Sequence, residues 1–398
     1  MNDPLRFLYH HRIRADDGQA VHVRELIAAL RAAGHQVDEC ALVRKAAGAL
    51  APDGSGAARP RSFWQRLSLP RPAVEVLEVL YNRRGRALLA AAAVAHRPDV
   101  LYERHALHCR AGLDAAKALG VPLLLEVNSP MVDEMQKLGA LCLRSRARAT
   151  ERTVLAGADA VLAVTQVLAD MLVERGARRD RVHVIGNGAV PERYGDDAAR
   201  AAAAVRARWQ VPADAFVLGF VGYMRPWHRL ELVLDAMSRP ELAPLVLVLV
   251  GAGPALAPLQ ALATQRGLGP RVHALGEVPA ALVPAHVLAC DGALIPAINP
   301  YASPLKLFDS LAAGVVTLAP DQPNLRETIA DGVTGLLFRP GDAADLARQL
   351  VALVSDRARA ARIGAAGRAA LHQHRWTWAG NAERVVAIAR GLLAGGRR

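Results

Sequence analysis

One unit recurs along this chain: a short apolar run, a loop, then a stretch with apolar residues at helical spacing. The clearest runs are "LVLVLVG" (245–251) and "PLLLEVN" (122–128), in which polar and apolar positions do not alternate. Such runs suit strands covered on both faces, as in a parallel sheet flanked by helices. The unit starts at "RFLY" (6–9), a strand. It passes through the loop "HHRIRADDGQA" into the helix "VHVRELIAALRAAGHQV", capped near Gly34, and reaches the next strand at "QVDECALV". Strands are then predicted at "PDVLYER", "PLLLEVN", "DAVLAVT" and "RVHVIGNG", with helices at "AGLDAAKALG", "ATERTVLAGA" and "QVLADMLVERGA". A polar, alanine-rich connector at 190–212 follows. The second half repeats the alternation, with strands at "AFVLGFVG", "LVLVLVG", "RVHALG", "GALIPA", "VVTLAP" and "TGLLF". "HQHRWTWAGNAERVVAIARGLLAG" reads as one C-terminal helix.

With 398 residues the chain is too long for one ordinary core. The expectation is α/β: two Rossmann-like doubly wound domains facing across a cleft, at 1–195 and 205–375, with a helix at 376–398 packing back toward the first. Ligands of such folds sit at the carboxyl ends of strands, where loops meet helix N-termini. The net charge of +12 favours anionic partners such as nucleotides or an acidic membrane surface. The basic residues are dispersed and not interleaved with aromatics, which argues against nucleic acid. Cys40, Cys109, Cys142 and Cys290 are far apart, so no disulfide framework or metal-ligand pattern follows, and a reducing, cytoplasmic setting is expected. "MNDPLRFLYHHRIR" lacks the apolar run of a signal peptide, and no run reaches the ~18 residues of a membrane span. Residues 48–72 break the alternation. There "SFWQRLSL" is either a basic amphipathic piece resting on a membrane or a loop with Phe63 and Trp64 tucked into the domain.

Helix N-termini at strand ends offer free N–H groups and a dipole to anions, which singles out four junctions. In "ADDGQAVH", Gly18 allows close backbone approach and Asp16 or Asp17 can cap the helix. In "FVGYMRPWHRLELVLDA", Gly222 ends a strand and is followed by Arg225 and His228; a guanidinium there can neutralise a diphosphate. In "VGAGPALAPLQALA", Gly251 and Gly253 serve either a ligand or only the turn. In "PYASPLKLFDSLAAG", Ser303 and the backbone of Leu305 lie at a helix start, Lys306 adds charge, and Asp309 follows one turn later. That set can grip a nucleotide diphosphate, the acid accepting the ribose hydroxyls, or it can be a surface ion pair.

Taken together, these junctions resemble the retaining family-four glycosyltransferases of the GT-B fold over nearly the whole chain. The resemblance rests on "DGQAVHVRELIAALRAAGHQV", "VHVIGNGAV" (with Asn187 and Gly188), "FVGYMRPWHRLELVLDAM", "LVLVLVGAGP", "SPLKLFDSLAAG" (an "SPLK"-type branch) and "NLRETIADGVTGLLFRPGD". It implies a nucleotide-sugar donor held by the second domain, an acceptor (a glycan or lipid-linked) held mainly by the first, and no cofactor or metal ion. The protein would stabilise charge building on the leaving diphosphate. The family pattern has an arginine directly after the strand-end glycine and a lysine about five residues on; here these are Tyr223 and His228, leaving Arg225 and Lys306 as the cations. Of the family's two spaced glutamates, Tyr301 and Asp309 take the places. In "YERHALH", Arg104 aligns with a family histidine near the reacting centre, with His105 beside it and Glu103 before it. "EVNSP" puts Glu126 and Asn128 at the next strand end, where Glu126 either binds acceptor or forms a buried pair with Arg104. Glu327 matches a family acid, or pairs with Arg326, or caps a helix. Two other readings stand beside transfer: a nucleotide-sugar epimerase on the same fold, and a catalytically silent subunit that binds a partner.

Overall fold

The computed structural model describes residues 3–13, 18–41 and 70–395. "SFWQRLSL" and the capping acids Asp16 and Asp17 lie outside them. The chain divides into two compact units: Met1–Val164 with Leu168–Ile185 and Glu383–Arg398, and Thr165–Val167 with Gly186–Ala382.

The first unit alternates β1 (Arg6–His11), α1 (Gly18–Ala32), β2 (Gln36–Ala41), α2 (Arg71–His96), β3 (Val100–Arg104), α3 (Ala111–Leu119) and β4 (Leu123–Val127). It continues with α4 (Met131–Lys137), α5 (Arg144–Gly157), β5 (Ala160–Ala163), α6 (Gln166–Glu174), whose first two residues are grouped with the second unit, and β6 (Val182–Val184). Its six strands are ordered β2-β1-β3-β4-β5-β6 and every pair is parallel. Every residue of β3, β4 and β5 is buried, Glu103, Arg104 and Glu126 included, as suits strands covered on both faces.

The second unit opens with α7 (Asp196–Arg208) and runs β7 (Phe216–Val221), α8 (Glu231–Met237), β8 (Leu245–Val250), α9 (Leu256–Gln265), β9 (Val272–Gly276), α10 (Val283–Leu288) and β10 (Gly292–Leu294). After these come α11 (Leu305–Ala313), β11 (Val316–Pro320), α12 (Pro323–Arg326), β12 (Leu336–Phe338), α13 (Ala343–Ser355), α14 (Arg357–His374) and α15 (Trp378–Ala394), whose residues from Glu383 on are grouped with the first unit. Its parallel sheet is ordered β12-β11-β10-β7-β8-β9. The chain leaves β7 for β8 on one side and later returns to its other side with β10, so the strand order reverses between β7 and β10. In the first sheet the reversal falls between β1 and β3. Crevices for ligands open at such reversals.

Three segments differ from expectation. The connector at 190–212 contains helix α7. Alanines carry it, Asp196 and Asp197 in its first turn and Arg206 and Arg208 in its last match the helix dipole, and only Ala202 is buried, so no apolar stripe marks it. The C-terminal stretch is two helices, because Arg375 takes a left-handed conformation (φ 54°) that closes α14. Residues 71–96 form one long helix whose exposed side carries Val76, Leu77 and Leu80, which blurs its amphipathic pattern.

Candidate active site

In the second unit the reversal between β7 and β10 is where charge gathers. Gly222 directly follows β7 with φ 132°, and a Cβ there would stand 3.4 Å from the Lys306 Nζ. The Lys306 ammonium, delivered by the first turn of α11, lies 3.6 Å from the centre of the Phe220 ring. Among the described residues no carboxylate reaches ion-pair distance of it. Burial holds its pKa down, to about 7, although Asp309 pulls upward. His228 stacks edge-on to the same Phe220 ring at 5.2 Å. Its Nδ1 accepts the Arg225 N–H at 3.1 Å, so in its neutral form Nε2 carries the proton. Burial first, then the charges of Lys306 and Arg225, lower its pKa to about 4. Arg225 itself is exposed, its guanidinium set 4.8 Å from the Tyr223 ring and 5.0 Å from the Trp227 ring.

The neighbouring loops hold that place open. Gly251 has φ 124°, and a Cβ on it would come 2.3 Å from the Gly222 carbonyl oxygen; one on Gly253 would come 2.2 Å from that of Met224. Both glycines let the β8 loop lie against the β7 loop. Asn187 fixes the start of α11: its backbone N–H donates to the Ser303 hydroxyl at 3.1 Å and its side-chain amide to the Ser303 carbonyl at 2.5 Å. No side chain caps α11, whose first residue is Leu305. Asp309 accepts a hydrogen bond from the Tyr194 hydroxyl, whose pKa is driven far up by burial and by that carboxylate. Lys306 and Asp309 share a small cavity of about 20 Å³ with Ser310 and Ile295, room for about one water. The Glu327 carboxylate accepts the backbone N–H groups of Gln166 and Val167 at 2.9 and 3.4 Å, in the same unit. Of the roles left open for Glu327, the structure shows this capping one. The Arg326 guanidinium pairs with Asp321 instead.

In the first unit, β3 and β4 run in register with Arg104 opposite Glu126. Glu126 is 2 % exposed and is the hub of a buried network. It accepts from Arg104, from Tyr102 at 2.6 Å and from Tyr9 at 3.3 Å, and lies 3.0 Å from His22 Nε2 on α1. Burial alone would raise its pKa, but His22 and Arg104 with the hydrogen bonds hold it well below the usual carboxylate range. The structure therefore favours the buried pair for Glu126, whose oxygens all face protein donors. Glu103 is buried as well: it contacts His10 Nδ1 at 2.6 Å and accepts the Gly112 N–H at 3.0 Å. These contacts all fall on Oε1, and Oε2 is buried without a hydrogen-bond partner among the described residues. His105 and Asn128 share this feature: His105 Nδ1 and Asn128 Oδ1 are likewise buried without a hydrogen-bond partner among the described residues. Burial lowers the His105 pKa to about 4, leaving it a neutral imidazole. Gly18 is the first residue of α1, four positions before His22.

The sequence showed no metal pattern, yet the fold brings His10, Glu103 and Cys109 together with ligand atoms within 4.8 Å of one another. These groups hydrogen-bond one another, and His10 Nε2 meets the Tyr81 hydroxyl at 2.9 Å. Burial pushes the Cys109 thiol far up, which disfavours the thiolate a metal needs. The cluster reads as a buried hydrogen-bond network joining β1, α2, β3 and α3.

Residues 203–370 match the model of the glycosyl transferases group 1, and residues 17–188 that of the glycosyl transferase 4-like domain. The D-inositol 3-phosphate glycosyltransferase 1 of Catenulispora acidiphila is 30% identical over 317 residues, covering 75% of this chain and 73% of that protein. The chain belongs to the family-four glycosyltransferases. The corresponding proteins of Stackebrandtia nassauensis and Nocardia farcinica are each 33% identical, over 59% of this chain. The matches span only 55% and 53% of those relatives, about half their length. Among solved structures, sucrose-phosphate synthase from Thermosynechococcus elongatus aligns over 98% of this chain and 100% of its own, with TM-score 0.75 and 20% identity. Anabaena HepE in complex with UDP and glucose covers the same shares with TM-score 0.70 and 17% identity. These likenesses establish the GT-B fold.

Of the departures from the family pattern, Tyr223 and Tyr301 have distinct surroundings. Tyr223 is 51% exposed beside Arg225, whereas Tyr301 is buried and its carbonyl accepts the Thr165 hydroxyl at 2.8 Å. Sequence reasoning missed Tyr194 and His22, the partners of Asp309 and Glu126. Tyr194 lies in the stretch taken for a connector. His22 sits on α1 with only its spacing from Gly18 to mark it.

Proposed function

We propose that this family-four glycosyltransferase transfers a hexose, with retention, from a nucleotide-diphosphate sugar to a glycan or lipid-linked acceptor in cell-surface polysaccharide synthesis. The observation that carries the reading is the Lys306 ammonium at the end of β7, beside Gly222 and with no carboxylate in ion-pair reach among the described residues. A desolvated cation at a strand-order reversal is suited to an anionic diphosphate. In the transfer, the bond from sugar C1 to the diphosphate oxygen breaks and one from C1 to the acceptor oxygen forms on the same face. The acceptor's hydroxyl proton passes to the leaving diphosphate. Lys306 and Arg225 offset the charge that develops there, and His228 offers its Nε2–H. These side chains do the work a metal ion would otherwise do, so chelator treatment leaves the rate unchanged. Asp309 is proposed to accept the ribose hydroxyls while Tyr194 orients it, with Ser303, Leu305 and Gly251 shaping the pocket. Arg104, His105 and Asn128 are proposed to meet the acceptor, with Gly18 giving backbone access.

UDP is the first nucleotide to try, since HepE was solved with it. The names of the relatives add D-inositol 3-phosphate to the acceptors worth testing. The test is calorimetric titration with UDP, GDP, ADP and dTDP. Saturable binding of one of them, weakened by Lys306→Ala and Asp309→Ala, is expected. No binding by any of the four would favour the silent-subunit reading. Release of an epimerised or free sugar without acceptor would favour an epimerase.

A further inference from the structure

Helix α2 turns an unusual mixture toward solvent. Val76, Leu77 and Leu80 are 47%, 54% and 51% exposed, and Arg83, Arg84 and Arg86 follow, also exposed. From Val76 to Arg86 is about 15 Å along a helix. An open groove of about 850 Å³ runs beside this stretch, with Leu80, Arg83 and Arg86 in its lining. Across it stand Arg110 and Lys117 with Arg146 of α5. Asp114 is the one acid in that lining among the described residues, and it is shared between Arg110 at 2.9 Å and Arg86 at 3.8 Å.

We propose that this face of α2 docks on an anionic phospholipid bilayer. Charge selects the partner: five cations against one acid repel a second copy of the same face. The aliphatics select a bilayer over nucleic acid, because single strands are held by stacking on aromatic rings and the groove's lining has none. Leucines entering the acyl boundary beside arginines reaching for phosphate headgroups are how an interfacial helix binds. The surface argument stands by itself. Its purpose, delivering the enzyme to a lipid-linked acceptor, rests on the proposed function.

The test is co-sedimentation of the full chain with vesicles of phosphatidylcholine alone and of equal parts phosphatidylcholine and phosphatidylglycerol. Binding to the anionic vesicles is expected, with little to the neutral ones, falling as salt rises. Each cation removed weakens partitioning about fivefold, so Arg83→Gln with Arg86→Gln reduces it about 25-fold. Leu77→Asn with Leu80→Asn reduces it at constant charge. Circular-dichroism melts and nucleotide titrations of the same variants are expected to match wild type, so failure of the donor-site reading shows separately. Wild-type failure to bind anionic vesicles, equal binding to neutral ones, or unchanged partitioning of both double variants would overturn the proposal. Tighter binding to a single-stranded oligonucleotide than to the vesicles at equal salt would also overturn it.

Discussion

A buried ammonium group pressed against an aromatic face with no carboxylate at ion-pair distance among the described residues costs the fold stability, and Lys306 is in that position although Asp309 offsets part of the cost. Lys306→Met keeps the stem and removes the charge. It should raise the melting temperature at neutral pH while weakening nucleotide binding by about 2 kcal/mol, roughly thirtyfold. The pH dependence has a definite sign. Between about 7 and the ordinary lysine range the unfolded chain holds this proton and the folded chain does not, so stability rises with pH across that window. Urea melts at both ends of the window should show the rise in wild type and less of it in Lys306→Met. Nucleotide affinity moves the other way, falling as the ammonium is lost. Glu126 behaves oppositely. Its depressed pKa gives stability that is present above the unfolded carboxylate value and is lost as acid titrates it. Glu126→Gln should therefore lower stability at neutral pH by about 3 kcal/mol, the cost of leaving Arg104 unpaired, and flatten the acid limb. Nucleotide affinity measured on the folded variant should be unchanged.

At the scale of elements, strand ends and their glycines separate what the site needs from what the helices tolerate. A Cβ on Gly251 would collide with the Gly222 carbonyl oxygen, and its φ is positive, so Gly251→Ala should cost more than about 1 kcal/mol and reduce nucleotide affinity. A Cβ on Gly391, within α15, would meet nothing within 4 Å, so Gly391→Ala should stabilise by about 0.5–1 kcal/mol and leave affinity unchanged. Thermal melts and the same titration check both. The strands were legible from sequence because a central parallel strand is apolar on both faces, and "LVLVLVG" admits little else. Helices α2 and α7 were not. One exposes aliphatics, and the other buries only Ala202 along its length. The site was legible as a set of junctions: Gly222, Lys306, His228 and Gly251 do converge. The buried partners were not, because Tyr194 lies 115 positions from Asp309 and His22 lies 104 from Glu126, separations no local pattern encodes.

At the scale of the whole molecule, two sheets with different strand orders form two cores, each within its own compact unit. The candidate donor site belongs wholly to the second, and so do four of the five tryptophans: Trp209, Trp227, Trp376 and Trp378. Tryptophan fluorescence thus reports chiefly on the unit that would hold nucleotide, whereas far-ultraviolet circular dichroism reports on both. A ligand that binds only the folded state at a hundredfold excess over its Kd stabilises by about 2.7 kcal/mol. For a unit of this size that shifts the midpoint by about 5–10 °C. The cognate nucleotide should move the fluorescence-detected transition by this amount, and at the same concentration should move that of Lys306→Met, whose unliganded midpoint starts higher, by only about a third as much. A fluorescence midpoint that stays in place at saturating nucleotide would remove the donor site from the second unit, whatever the circular-dichroism transition did.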